Sequence, residues 1–494
     1  MSKELQTVKS RSFISTVSLL MQSSFSAILG FAAFFILTKQ SGVYLLGIYS
    51  TVEATLSFFN YLTNIGLAAA LMQRSKLDTL DINTAFFMQM GIAVVGVTAG
   101  FIITPFVMSA YPDLPSNAAY LYWAILCSLL LLQLKMIPSV LLEKEIQIQK
   151  VVISQLLEAT VFYVVIILMV TLGYDIESLI VAVLARAVVG VVSINVLHPW
   201  VPSLEFSWDR ARSLFTYGIQ FQGNSFLALI KDNLLILYLG SRLGFTQLGY
   251  VSFAKKYAEF AIRLIMDTIN RVGFPVLSRF QDDRALLSKS MKRVLYYQSL
   301  LIFPMLAGGM FIFASILHVI PGYLDKWQTA VFSFYFFSLS SLFISFSTPF
   351  INLFNATGKV RWSLYCMALF TALTWIFVSL GVQWYGYMGV SVGFLLFSIS
   401  FLIPLFVSRG LVDVSLWESI EKKCLCYCSY VYCTWDTPIP EGIIKPFRKT
   451  LFGIGTCSGR YLLWISSASF QQRATCTGFR HLHQTQIWKE YLEF

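Results

Sequence analysis

Apolar residues in this chain come in long unbroken runs, and polar residues collect in the short gaps between them. Twelve runs stand out, at 13–37, 45–71, 84–109, 118–142, 151–173, 178–198, 213–240, 248–274, 293–320, 329–355, 362–384 and 386–408. A helix needs about 20 residues to cross the hydrocarbon of a bilayer, and most of the runs exceed that. Backbone groups in lipid must be satisfied within the segment, so runs of this length predict helices. The expected fold class is all-α: a polytopic integral membrane protein with twelve transmembrane helices. The first run, Phe13 to Leu37, holds no charge and no small-residue cleavage site, which predicts a retained helix and not a cleaved signal peptide.

The gaps alternate in charge. One set holds Lys3, Lys9 and Arg11, then Arg74 and Lys76, Lys144 and Lys150, Arg210 and Arg212, Arg279 to Arg293, Lys359 and Arg361, and Arg409. The other set holds only Lys39, Arg242 and Lys326. Cytoplasmic loops carry the Lys/Arg excess, so the pattern predicts a bacterial inner-membrane protein with a cytoplasmic N-terminus. Composition agrees: of 494 residues, 57% are apolar and only 12% charged, against about 25% charged in soluble domains. The net charge of +11 is mostly this loop bias. It does not point to nucleic acid, because no basic stretch is interleaved with base-stacking aromatics in a soluble domain.

The gap at 199–212, with Pro199, Pro202 and Trp208, separates runs 1–6 from runs 7–12. The expected organisation is an N-terminal six-helix bundle over 1–198, a cytoplasmic linker over 199–212 and a second bundle over 213–410, with a cavity between the bundles.

Charges inside the runs are the candidate chemistry. Glu53, Lys135, Glu158 and Arg186 fall in the first half; Lys231, Asp232, Lys255, Lys256, Glu259, Arg263 and Asp267 fall in the second. A charge at mid-bilayer costs about 2.5–3.5 kcal/mol, so eleven facing lipid would cost roughly 30 kcal/mol, beyond ordinary stability. They must face one another or water. Lys255, Glu259 and Arg263 recur at helical spacing, which fits either a cavity-lining face or a structural ion-pair ladder. Cations outnumber anions by one, a balance suited to an anionic head group such as a lipid-carrier pyrophosphate. Lys135, Arg186, Lys231, Lys255, Lys256 and Arg263 are the candidate pyrophosphate ligands. Glu53, Glu158, Asp232, Glu259 and Asp267 are candidates for ion coupling or structural pairing. Gln220, Gln222, Asn224 and Tyr257 are candidate sugar contacts or helix–helix glue.

Short motifs then carry a resemblance. Asn64-Ile65-Gly66-Leu67 with Ala69 to Arg74, Leu80 to Phe86, Leu141 to Lys144, Phe215 to Gly218, Asp232-Asn233, Leu248-Gly249-Tyr250, Ala254-Lys255-Lys256, Pro275 to Arg279, Lys326-Trp327 and Asn355 to Lys359 stand in order along residues 10–410. Together they resemble the polysaccharide-biosynthesis flippases, the oligosaccharide–lipid exporters of the MATE-like superfamily, with the colanic-acid, O-antigen and succinoglycan types as the branches to compare. The resemblance implies a V-shaped pair of six-helix bundles working by alternating access. It implies translocation of a polyprenyl-pyrophosphate-linked oligosaccharide from the cytoplasmic to the periplasmic leaflet, for exopolysaccharide, capsule or lipopolysaccharide synthesis. It implies no catalytic residue, metal or cofactor. Membrane lipid, H+ or Na+, and a polysaccharide polymerase with its export machinery are the further partners it brings. A MATE-type drug/cation antiporter is the nearest rival. A membrane glycosyltransferase or polymerase is the rival of another class, although no Asp-x-Asp occurs.

Residues 411–494 change character. Six of the eight cysteines fall between Cys424 and Cys476, and no long apolar run follows. A metal site, a lipid-modified surface segment and an out-of-frame translation are the readings open there, and poor order is expected.

Overall fold

The computed structural model describes residues 2–414 except 41, 64–65, 75–76, 112, 116 and 146; within them the side chains of 2–17, 19–20, 62–63, 220–225 and several between 261 and 275 are outside the description. The Cys-rich tail beyond residue 414 lies outside the described residues. Among those described, the chain is helical throughout and contains no strand.

The helices follow the apolar runs. In the first half they are α1 (Ser2–Gln40), α2 (Val43–Thr63), α3 (Leu67–Gln73), α4 (Thr79–Ile102), α5 (Thr104–Ala110), α6 (Ala118–Gln133), α7 (Met136–Lys144), α8 (Ile148–Thr171) and α9 (Ile176–Leu197). An exposed coil leads to α10 (Trp208–Leu229), then a π-helical turn (Ile230–Leu234) and α11 (Leu235–Arg279). The chain continues through α12 (Arg284–Val319), α13 (Tyr323–Trp327), α14 (Val331–Ala356), α15 (Val360–Tyr385), α16 (Tyr387–Ser398) and α17 (Leu402–Ser408).

Four runs expected to be continuous are broken; the last, 386–408, is interrupted by a tighter turn at Ile399–Phe401, and the other three break for a local reason. The second divides at Gly66, whose φ of 69° is left-handed and strained for any residue with a Cβ. The third divides at Ile103, one residue before the first turn of α5, where Pro105 needs no hydrogen-bond partner for its nitrogen. The fourth divides at Leu134–Lys135, ahead of Pro138 in α7. Conversely, the loop expected between runs 7 and 8 is a single sharp turn at Gly244 (φ 74°). The coil after α9 is also shorter than expected, because helix resumes at Trp208. Pro304 and Pro349 sit inside unbroken helices.

Nine stretches among the described residues are long and apolar enough to cross a membrane. This is a multi-pass membrane protein. α2, α10 and α11 are not among the nine. They are the helices diluted by polar and charged residues, and they pack together at the interface of the two halves.

That interface is closed at the helix ends next to the charge-poor gaps. Gly47 of α2 lies against the backbone carbonyl of Phe245, and Gly249 of α11 against that of Val43. A Cβ at either glycine would collide with main chain, which no rotamer change can relieve. The largest apolar core runs from Leu45, Leu46 and Tyr49 through Phe245, Leu248 and Phe253 to Trp327 and Phe334. Trp327 stacks on Phe253 at 3.9 Å and donates to the Thr38 carbonyl at 3.2 Å, tying α13 to α1. At the opposite, basic ends, Gly66 meets the backbone of Gly218 and a smaller core joins Leu67, Leu71 and Phe86 to Leu214.

Overpacking a well-filled contact costs about 1–3 kcal/mol. Gly249→Val is therefore expected to lower the melting temperature in detergent, whereas Gly91→Val, where a Cβ meets nothing within 4 Å, leaves it unchanged. Equal melting of the two variants would contradict the close crossing of α2 and α11.

Candidate substrate site

The intramembrane charges form a belt along the two halves. In the first half, Lys135 sits at the break between α6 and α7 and donates to both carboxylate oxygens of Glu158 on α8, at 2.7 and 2.8 Å. Glu158 is buried, its side chain 4% exposed. Room for it comes from Gly190 on α9, where a Cβ would stand 2.7 Å from the carboxyl group. Arg186, one turn earlier on α9, approaches the same carboxylate only loosely, with Nε 3.9 Å from Oε2. That Nε is buried and has no hydrogen-bond partner. The guanidinium lies 5.5 Å from the Phe162 ring centroid, a position in which the ring's negative face helps to hold a cation.

The belt crosses the interface through α2 and α11. Lys256 Nζ donates to Glu53 at 3.2 Å, and Tyr49, one turn before Glu53, donates to its other oxygen at 2.6 Å. Lys256 also stands 4.7 Å from the Phe34 ring and 5.0 Å from the Tyr49 ring. One ammonium thus touches α1 and α2 from α11.

In the second half, Lys231 donates to Asp232 at 2.7 Å within the π-helical turn. Such turns widen a helix locally and recur at functional sites. Lys255 and Arg263 share Glu259, each at 3.7 Å and each one helical turn away. Both cations are also close enough for their charge to act on Asp232. Lys255 lies 4.6 Å from the Phe394 ring, and Arg263 is the most open of the set, 72% exposed.

The structure therefore brings Lys135, Glu158 and Arg186 together, joins Glu53 to Lys256, and gathers Lys231, Asp232, Lys255, Glu259 and Arg263. The cavity-lining and ion-ladder readings of α11 coexist: its charges pair at i,i+4 and still leave Arg263 open. The side chains of Asp267, Gln220, Gln222 and Asn224 lie outside the described residues. Tyr257 is engaged elsewhere, its hydroxyl 3.2 Å from that of Tyr323 and its ring against Phe253 and Phe313, which is the part of a helix–helix fastener. Six cations face four described carboxylates, and each carboxylate already holds at least one cation.

Sequence reasoning missed two features. Tyr49 was readable, since it lies four residues before Glu53 and so on the same helical face. The other is a clasp at the basic ends. Asp81 at the start of α4 is 1% exposed and holds Arg74 beyond α3 and Arg210 on α10, the latter at 2.9 Å. Asn83 and Thr84 accept from the Ser203 and Ser207 backbone at 3.2 Å. The coil joining the halves is thus fastened to α4. Those arginines read in sequence only as topology charges, because nothing local places them beside Asp81.

The family model described as polysaccharide biosynthesis protein matches residues 44–332, which contain every charge of the belt. The chain belongs to that family. It is 24% identical over 369 residues to the lipopolysaccharide biosynthesis protein WzxC of Escherichia coli, covering 72% of this chain and 71% of that protein. It is 22% identical over 264 residues to the succinoglycan biosynthesis transport protein ExoT of Rhizobium meliloti, covering 53% of each. Among solved structures, the lipid II flippase MurJ in an inward closed conformation matches with a TM-score of 0.68, at 12% identity over 94% of this chain and 100% of that one. An inward-facing multidrug resistance MATE transporter matches at 0.64, with 15% identity over 80% of this chain and 98% of that one. At such identities the two structures establish a shared fold.

Removing Glu158 leaves Lys135 and Arg186 without their counter-ion, and stripping one partner from a buried pair costs about 3–5 kcal/mol. Glu158→Gln is expected to unfold markedly earlier in detergent, and adding Lys135→Met recovers part of the loss. A Glu158→Gln protein as stable as the parent would show that this carboxylate holds nothing together.

Proposed function

We propose that this protein is a flippase that moves a polyprenyl-pyrophosphate-linked oligosaccharide across the bacterial inner membrane. The observation that carries the proposal is the charge state of the belt. Each described carboxylate is occupied by a lysine or arginine, while Arg186 and Arg263 are held weakly, at 3.9 and 3.7 Å. A doubly charged pyrophosphate supplies the anion that these guanidiniums lack. Arginine suits the task because its planar fork donates two parallel bonds to one phosphate. Lys135, Lys231 and Lys256, each tethered to a carboxylate, and Lys255, which shares Glu259 with Arg263, then act as the surrounding positive field.

A lipid-linked substrate needs only its head group to pass. The prenyl tail stays in hydrocarbon while the sugar enters between the halves. α2 and α11 are shut against each other at the charge-poor ends and Gly66 is shut against Gly218 at the basic ends, so the head group enters from the basic side once that second contact parts. The Lys/Arg bias of the basic ends makes that side the cytoplasm, and the N-terminus lies there too. Separation of Gly47 from Phe245 and of Gly249 from Val43 opens the route to the periplasmic leaflet. The names of WzxC and ExoT place those proteins in lipopolysaccharide and succinoglycan biosynthesis, and a polymerase and export machinery would take up the product on the far side. Of the carboxylates, Glu158 is a buried counter-ion. Glu53 and Asp232, each partly exposed and each held chiefly by one lysine, are the groups that H+ or Na+ from a gradient can reach.

The rival readings are weaker on the same observation. An antiporter of cationic drugs needs an acidic lining to receive its cargo, and here no described carboxylate in the belt is without a cation of its own. A glycosyltransferase or polymerase needs acids that can leave their partners to do chemistry, and these are tied down in the same way.

The test is the leaflet distribution of polyprenyl-linked oligosaccharide in cells with and without this chain. Accumulation on the cytoplasmic leaflet without it, relieved by expressing it, is the expected result; an unchanged distribution would overturn the reading. A charge-assisted hydrogen bond contributes about 1.5–3 kcal/mol, so Arg186→Gln and Arg263→Gln should each slow translocation by about tenfold or more at normal protein level. Full activity of both variants would remove the guanidiniums from the mechanism.

A further inference from the structure

The coil that joins the two halves carries an apolar surface of its own, outside the core. Its two sides differ. On one side the Trp200 ring packs on Phe86 at 5.2 Å, the Ser203 and Ser207 nitrogens donate to Asn83 and Thr84, and Asn83 donates to Glu205 at 3.4 Å. On the other side Val201, Leu204 and Trp208 are 84%, 94% and 81% exposed, and the Phe206 ring meets Trp208 edge-on at 5.0 Å. A backbone fastened to α4 thus holds these apolar side chains outward.

The flanking helices continue the surface. On α9, Val181, Val188 and Val192 are exposed and share a face turned away from Arg186, and Val196 extends it to the end of the helix. α9 is long and apolar enough to cross a membrane, so a face turned away from its one charge in mid-helix is the face lipid covers. Val201 follows five residues after Val196. On α10, Trp208, Phe215 and Ile219 recur at i, i+7 and i+11, again exposed and on one face. Arg212, one turn past Trp208, is exposed there and makes no ion pair among the described residues.

We propose that the coil over 199–208 is an interfacial anchor: Val201, Leu204, Phe206 and Trp208 insert among the phospholipid head groups of the leaflet at the basic ends. A contiguous exposed apolar patch marks a contact with protein or with membrane. Continuity with the valine face of α9 decides for membrane, because an occupant of one borders the other. The composition fits that depth. Aromatic rings settle at the boundary between hydrocarbon and water, and an arginine beside them reaches the phosphate layer. The coil is then held from both sides, by Asn83 and Thr84 of α4 on the inside and by the bilayer on the outside. This anchoring does not depend on what the belt transports.

The test replaces Leu204 by the photocrosslinker p-benzoylphenylalanine in the full chain, reconstituted into nanodiscs of phosphatidylethanolamine and phosphatidylglycerol. The excited ketone inserts into C–H bonds that touch it and not into water, so the intact mass after irradiation reads what covers the side chain. The expected result is a shift by the mass of one phospholipid, at Leu204 and equally when Trp208 is replaced instead. Val192, on the lipid face of α9, should give the same shift, and Asp282, in the exposed turn between α11 and α12, should give none. An unshifted mass at both 204 and 208 while 192 is labelled would overturn the proposal, and so would an equal shift at 282. A crosslinked dimer would assign the surface to a second copy of the chain. A protein adduct in irradiated cells, without the lipid adduct, would assign it to another protein, and either result would also overturn the proposal.

Discussion

A charge taken out of water must find an opposite charge or a water-filled space, and the interior of this protein is organised by that requirement. Glu158 is the clearest case. It is buried among apolar helices, and it is tolerated because Lys135 closes on both its oxygens and Arg186 stands behind them. The break between α6 and α7 that presents Lys135, and the missing Cβ at Gly190, both make room for that pair. The Glu53–Lys256 pair does the same across the interface, where both groups are partly exposed. Lys256 and Glu53 pair between the two halves of the chain, whereas Lys135 and Glu158 pair within the first half.

The helices that meet across the two halves of the chain are also the ones least suited to lipid. α2, α10 and α11 are too polar to count as ordinary membrane spans, and they make the contacts between the halves. Their glycines allow backbone-to-backbone approach at one end, and the Asp81 clasp with its coil holds the other. Apolar packing alone gives little reason for helices to meet in a bilayer, because lipid tails are as apolar as leucine. Small residues and polar fasteners supply the specificity, and both are concentrated in these three helices.

Much of this was legible in the chain. Run length and the need to satisfy backbone groups in lipid gave the helical class, and the ladder from Lys255 to Arg263 followed from its spacing. Less visible were features set by distant partners. Nothing near Glu158 in the sequence indicates that Lys135 lies beside it, 23 positions away. Asp81, Arg74 and Arg210 looked like loop charges, and the break at Lys135 was hidden because Pro138 also fits an unbroken bent helix. The sequence excess of a single cation understated the described site, where two carboxylates, Glu158 and Glu259, are each shared by two cations.

The flippase role depends on whether the belt prefers a pyrophosphate to an uncharged lipid. The direct measurement is the affinity of the purified protein for a short-chain prenyl pyrophosphate and for the matching prenyl alcohol, in the parent and in Arg186→Gln with Arg263→Gln. The account predicts that the pyrophosphate binds far more tightly than the alcohol, that salt weakens it, and that the double variant loses about a hundredfold, the product of two charge-assisted contacts. Equal binding of the alcohol, or undiminished pyrophosphate binding by the double variant, would contradict it.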